Sequence, residues 1–288
     1  MAFDKLVFEL QLWAGMRTAT LGIDSPEESF RSEKAWHTYP IQNFSYSFNT
    51  WGFLGPEYDT LEGKKVNICL GDSFTLNIGG PIEHSWASQL ATYFDIPTIN
   101  LAINGAGNDA IRSVYEQACE IFDVQNTFVM YSFFHRRLDD GEFKHFDVAS
   151  AFNDVVNFKH FEEYRIPNVF ECALPTWVWE DNEKEFLKSN EIYFFDIPLL
   201  FANFPKEYAC KHINQQSYNN LKGPDWPTVK ELLRGVEPHP DMYKDEFGDC
   251  IDKSVFKEYT NRDGYHMNEH VNKVYCDYLY KLYLDKSL

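Results

Sequence analysis

Apolar residues along this chain fall in two spacings, and from residue 65 onward the two alternate. Residues 66–70 form a short, mainly apolar run that enters Gly71; beyond a loop with Gly79, Gly80 and Pro81, the residues Trp86, Leu90 and Phe94 recur at every fourth position. That pattern predicts strand, loop, helix. Residues 98–103 make the next β-type run, followed by Gly105 and Gly107 and then by Ile111, Val114, Ala118 and Ile121 at helical spacing. Residues 127–134, 168–173 and 192–197 read as third, fourth and fifth strands, with a helical candidate over 148–164. Met267, Val271, Val274, Tyr278 and Leu282 share one face of a closing helix.

Repeated strand–helix alternation predicts an α/β protein: a three-layer α/β/α sandwich around a central, mostly parallel five-stranded sheet covered on both faces. In such sheets, sites lie beyond the carboxyl ends of the strands. Two regions fit the alternation poorly. Residues 1–60 are aromatic but weakly periodic and read as an N-terminal extension packing on the core. Within the α/β domain of residues 61–288, an irregular insertion at about 203–262 carries Pro205, Pro224, Pro227, Pro238 and Pro240.

Composition narrows the classes of partner. The 288 residues include 26 Lys and Arg against 44 Asp and Glu, a formal charge of −18, with 44% hydrophobic and 17% aromatic residues. There is ample material for a core, and the charge repels phosphate backbones and anionic lipid within a Debye length of roughly 8 Å. The expectation is therefore no nucleic-acid partner and no membrane partner. The first fifteen residues mix Asp4, Lys5 and Glu9 into their apolar positions, unlike a secretory signal. Cys69, Cys119, Cys172, Cys210, Cys250 and Cys276 are spread singly, without a CxxC pair or a histidine at zinc spacing, so reduced thiols, no metal and no cofactor are expected.

Three segments could carry chemistry. Gly71, Asp72 and Ser73 stand where the first strand ends, so a serine hydroxyl there would be rigidly held at the sheet edge; these residue types also make ordinary turns. Asp263, Gly264, Tyr265 and His266 precede the last helix. A serine needs a base, and an imidazole needs a carboxylate to fix its tautomer, which Asp263 can supply three residues before His266; equally, Asp263 can cap the helix while His266 packs. Gly105, in the run from Asn100 to Asn108, would let a backbone N–H approach an oxyanion. The third glycine of a dinucleotide fingerprint is missing, which removes nucleotide binding.

Taken in order, the GDS after the first strand, the glycine turn after the second and the DxxH before the final helix resemble the SGNH hydrolase superfamily of GDSL-type esterases and lipases. Asn49, Gly52, Phe53, Gly55 and Glu57 are similar to the segment that precedes the first strand in one branch of it. The resemblance implies a flavodoxin-like three-layer fold, Ser73 as nucleophile, His266 as general base and then acid, Asp263 as its orienting carboxylate, and an oxyanion hole including the N–H groups of Ser73 and Gly105. The superfamily's GxND block is absent: Tyr131, Ser132, Phe133, Phe134, His135, Arg136 and Arg137 occupy its place. Asn108 and Ser132 are the candidates to replace its oxyanion donor.

Arg136 and Arg137 form a basic island in an acidic chain, suited to a substrate carboxylate or phosphate or to salt bridges with Asp139 and Asp140; Asp72 joins them as a candidate substrate-binding residue. Trp51, Trp86, Trp177, Trp179 and Trp226 could stack on sugars or fill the core. The expected function is serine-dependent ester hydrolysis, with a carbohydrate O-acetyl group as first substrate to test and a small-molecule or glycan ester as partner. The alternatives are a catalytically weak carbohydrate-binding or structural protein and an acyltransferase. Chains with this changed third block and an NGAGN-like second block look similar to phage-encoded proteins, implying a virion or infected cell as the location; the absence of a signal equally fits the cytoplasm. Oligomeric state is left open.

Overall fold

The computed structural model describes residues 13–21, 44–139, 142–145, 152–175, 178–195, 261 and 266–287. In chain order these contain β1 (Arg17–Thr18), β2 (Tyr46–Ser47), β3 (Lys65–Leu70), α1 (Ser73–Leu76), α2 (Trp86–Ala91), β4 (Thr98–Asn100), α3 (Asn108–Ile121), β5 (Asp123–Tyr131), β6 (Arg136–Asp139), β7 (Glu142–His145), α4 (Phe152–Tyr164), β8 (Phe170–Ala173), α5 (Asp181–Ser189) and α6 (Glu269–Ser287).

Strands β4, β3, β5 and β8 form, in that order, one sheet in which every pairing is parallel. The central β3 is buried from Val66 to Leu70, as a strand covered on both faces must be. Side chains alternate across the sheet. Phe128 meets Phe94 and Phe170 on the face where Tyr283 of α6 packs, while Tyr131, three residues on, meets Phe161 of α4 on the other. Helices α2 and α6 cover the first face, α3 and α4 the second, so the three-layer sandwich is present.

The fifth strand is reduced to one parallel bridge, Cys172 to Tyr193, with Ala173 N–H donating to Tyr193 O at 2.7 Å; residues 196–200 lie outside the described set. The second strand stops at Asn100 because that side chain accepts from Ala102 N–H at 3.1 Å and donates to Thr75 O at 3.0 Å, turning the chain. The third begins at Asp123, earlier than the apolar run, since the amino-terminal half of β5 is partly exposed and polar. Unforeseen elements are the β6–β7 hairpin and α5. The latter has few apolar positions but closes with a capping box between Glu180 and Glu183.

Of residues 1–60, those described bear on the nucleophile candidate's surroundings. Leu21, Tyr46, Phe48 and Leu54 pack with Leu76, Ile78 and Ala102 in a second apolar cluster, and Tyr46 Oη accepts from Gly79 N–H at 2.7 Å. The insertion lies outside the described residues except for Asn261. Cys69, Cys172 and Cys276 are buried free thiols and Cys119 an exposed one; Cys210 and Cys250 lie outside. Among the described residues no helix is long and apolar enough to cross a membrane.

Candidate active site

The end of β3 is sterically prescribed. A Cβ on Gly71 would stand 2.1 Å from Thr75 Oγ1 and 3.0 Å from Met130 O, so only glycine lets the chain pass between β5 and the next turn. Asp72 then caps α1, its Oδ1 accepting from Phe74 N–H at 3.0 Å. Ser73 is the first residue of that helix and only 4% exposed.

The rest of Asp72 carries a charge pair. Its Oδ2 accepts from Ser132 Oγ at 2.7 Å and from Arg136 Nη1 at 2.8 Å. The carboxylate is fully buried and the arginine side chain 11% exposed, so the pair sits where water screens it little. Arg136 also lies over the Phe133 ring, 4.3 Å from its centroid, and its buried Nε has no hydrogen-bond partner among the described residues. Its counter-charge among the described residues is thus Asp72, beside the serine; Asp140 and the Asp139 side chain lie outside them. Arg137 is turned elsewhere: it donates to Phe134 O, to Arg136 O at 2.8 Å and to Asn157 Oδ1 at 2.7 Å. Burial pulls its guanidinium below the ordinary value, against the nearby Asp109 carboxylate.

Gly105 lies in the turn after β4 with φ +77°, a conformation glycine adopts without strain. The turn is drawn beside the Gly71–Ser73 segment by Ile103 N–H, which donates to Gly71 O at 3.1 Å. Asn108 opens α3 and pairs reciprocally with the Ser132 backbone, donating to Ser132 O at 3.0 Å and accepting from Ser132 N–H at 2.9 Å. Gly107 fits against Arg136, whose carbonyl oxygen a Cβ would approach to 2.7 Å. Of the two candidate replacements for the absent oxyanion donor, Ser132 has committed its one hydroxyl proton to Asp72, and Asn108 keeps one amide proton beyond the pairing.

His266 is brought from the far end of the chain to this edge of the sheet. It is 3% exposed, and its ring centroid lies 4.6 Å from that of Phe74, the residue after Ser73. Asp263 lies outside the described residues. Trp51, Trp86 and Trp179 are buried in the core and offer no sugar platform; Trp177 and Trp226 lie outside. Among the described residues no group of three or more His, Cys, Asp or Glu is placed to hold a metal. The asparagines around α1, Asn77, Asn261 and Asn272, went unnoticed in the sequence. Only the short spacing from Asn77 to the Gly79–Gly80 turn hinted at a special backbone there.

No family model matches the chain, and no curated protein matches it. Among solved structures it is similar to a G-D-S-L-family chain from Desulfitobacterium hafniense, with 13% identity, a TM-score of 0.36, and coverage of 75% of this chain and 98% of that one. It is also similar to the psychrotrophic esterase EstA from Pseudoalteromonas sp., with 13% identity, a TM-score of 0.33, and coverage of 77% and 98%. A third, a member of the lipolytic protein G-D-S-L family from Veillonella parvula, has 14% identity, a TM-score of 0.28, and coverage of 49% and 82%. Likeness at this level assigns neither residues nor chemistry.

Proposed function

We propose that this protein is a serine-dependent ester hydrolase of SGNH type. The observation that carries the reading is the meeting of two distant segments: Ser73 at the carboxyl end of the central strand, and His266 against the ring of the very next residue. In this reading Ser73 Oγ attacks the ester carbonyl and its proton passes to His266. The N–H groups of Ser73 and Gly105 receive the oxyanion. Collapse of the tetrahedral species expels the alcohol, which takes the proton back from His266. Water then gives a proton to His266 and attacks the acyl-enzyme, and its breakdown returns the proton to Ser73 and frees the acid. Asp263 orients the imidazole and stabilises its charged form.

The substrate is a short-chain ester, with a carbohydrate O-acetyl group first in line. Burial of both Ser73 and His266 supports a small acyl group, since a long chain has to find room beside two side chains of 4% and 3% exposure. Release of acetate from p-nitrophenyl acetate, lost in Ser73→Ala, tests the reaction. An unchanged rate in that variant overturns it. A second reading, a carbohydrate-binding protein of low turnover, draws on the engagement of Ser132 and Asn108 in other hydrogen bonds. Glycan binding with no turnover of any acetyl ester favours it.

A further inference from the structure

Ser73 and His266 belong to segments that share no strand pairing and are separated by most of the chain, so something must fix their spacing. Three buried asparagines, Asn77, Asn261 and Asn272, stand between them at 0%, 2% and 0% exposure. Asn77 ends α1 in the left-handed region at φ +63°. That turn brings Ile78 N–H back to Ser73 O at 3.2 Å. Asn261 Nδ2 donates to Ile78 O at 2.9 Å and to Asn77 Oδ1 at 2.8 Å, while its backbone N–H donates to His266 O at 2.7 Å. Main chain of serine and main chain of histidine are therefore joined through one residue: Ser73 C=O to Ile78, Ile78 C=O to Asn261, Asn261 N–H to His266.

Asn272 braces the same point from α6. Its Nδ2 donates to Asn77 Oδ1 at 2.9 Å and to Met267 O at 3.0 Å, and its Oδ1 accepts from Trp86 N–H at 2.9 Å. One acceptor, Asn77 Oδ1, thus collects a donor from each side of His266. A neutral amide adds no buried charge here; Asn77 and Asn272 use donor and acceptor together, while Asn261 uses its donors, its buried Oδ1 having no hydrogen-bond partner among the described residues. Apolar packing alone would hold the segments together yet leave their register free to slide; paired donors and acceptors fix it.

We propose that Asn77, Asn261 and Asn272 are positioning residues that set the distance and orientation of His266 relative to Ser73. The proposal rests on the serine-hydrolase reading above. Misplacing a general base by about 1 Å costs about 100-fold in rate, so Asn261→Ala should lower kcat on p-nitrophenyl acetate about 10- to 100-fold, with KM little changed. It should also slow labelling of Ser73 by a fluorophosphonate by a similar factor. In a His266→Ala background the same substitution should cost nothing further, because there is no base left to place. Asn77→Gly, which keeps the left-handed turn and removes the shared acceptor together with the Nδ2 donor to Pro81 O, should repeat the pattern if Asn261→Ala does not fold.

A wild-type kcat in folded Asn261→Ala or Asn77→Gly overturns the proposal, as does an equal loss with and without His266. So does failure of both variants to fold, which assigns the asparagines to stability alone. Wild-type protein that neither hydrolyses the ester nor takes up the fluorophosphonate marks instead the failure of the hydrolase reading, and the positioning role falls with it.

Discussion

Asp72→Asn is the substitution whose cost follows most directly from the geometry. It keeps an oxygen to cap Phe74 N–H, but puts an amide NH2 where Oδ2 accepts from Ser132 and removes the negative charge facing Arg136 at 2.8 Å. With side-chain exposures of 0% and 11%, solvent cannot take over the guanidinium's compensation without rearrangement. Breaking a buried pair from one side costs about 3–5 kcal/mol, a large share of a typical total of about 5–15 kcal/mol. Urea unfolding followed by fluorescence of the buried Trp86 and Trp179 should show this as a lower midpoint with unchanged slope. Arg136→Met should cost less, because Asp72 then keeps the Phe74 and Ser132 donors. The double variant should be more stable than Asp72→Asn, by about 1–3 kcal/mol, since no unpaired charge remains. Additive losses in the double variant, or a loss below about 1 kcal/mol in Asp72→Asn, would mean that the pair is solvated and weak.

Two further outcomes follow from burial. With Ser73 and His266 both nearly enclosed, p-nitrophenyl acetate should be turned over at least about tenfold faster than the octanoate, a difference near 1.4 kcal/mol in barrier; equal rates would place an open acyl groove at the serine. His160 is held below its ordinary 6.5 by desolvation and then by the Arg137 charge, against the pull of Asp109. The unfolded chain takes up that proton before the folded one does, so stability is constant above 6.5 on this account and is lost as pH falls from 6.5 toward the folded value. His160→Gln should remove part of that loss as pH falls below 6.5; an identical pH dependence of the urea midpoint would refute the assignment.

The fold was legible where the pattern was densest. Val66 to Leu70, Trp86 with Leu90, and the stripe from Ile111 to Ala118 each bury the face that their spacing marked. Legibility ended where structure depends on polar contacts. The β6–β7 hairpin opens with Arg136 and Arg137, and α5 is built mostly of charged residues, so neither carries an apolar period. Of the sheet's fifth member, the described residues show one bridge, at Tyr193.

The site divides in the same way. Ser73, Gly105 and His266 were singled out as candidates from strand ends, turn chemistry and the resemblance carried by the order of the motifs, and the structure brings their segments together. That Arg136 would turn back to Asp72, and that Asn108 would clasp the Ser132 backbone, depends on how the ends of β3, β4 and β5 are juxtaposed. Nothing in local sequence encodes a contact between Asn261 and Asn77, which lie 184 residues apart.

The central claim is that Ser73 is a nucleophile activated by His266. Intact-mass analysis after exposure of the folded chain to a fluorophosphonate tests it most directly. The account predicts one adduct, located at Ser73 by peptide mapping, absent in Ser73→Ala and slowed at least about 100-fold in His266→Ala. Folded wild-type protein that stays unmodified, or that is labelled equally well without His266, would contradict it.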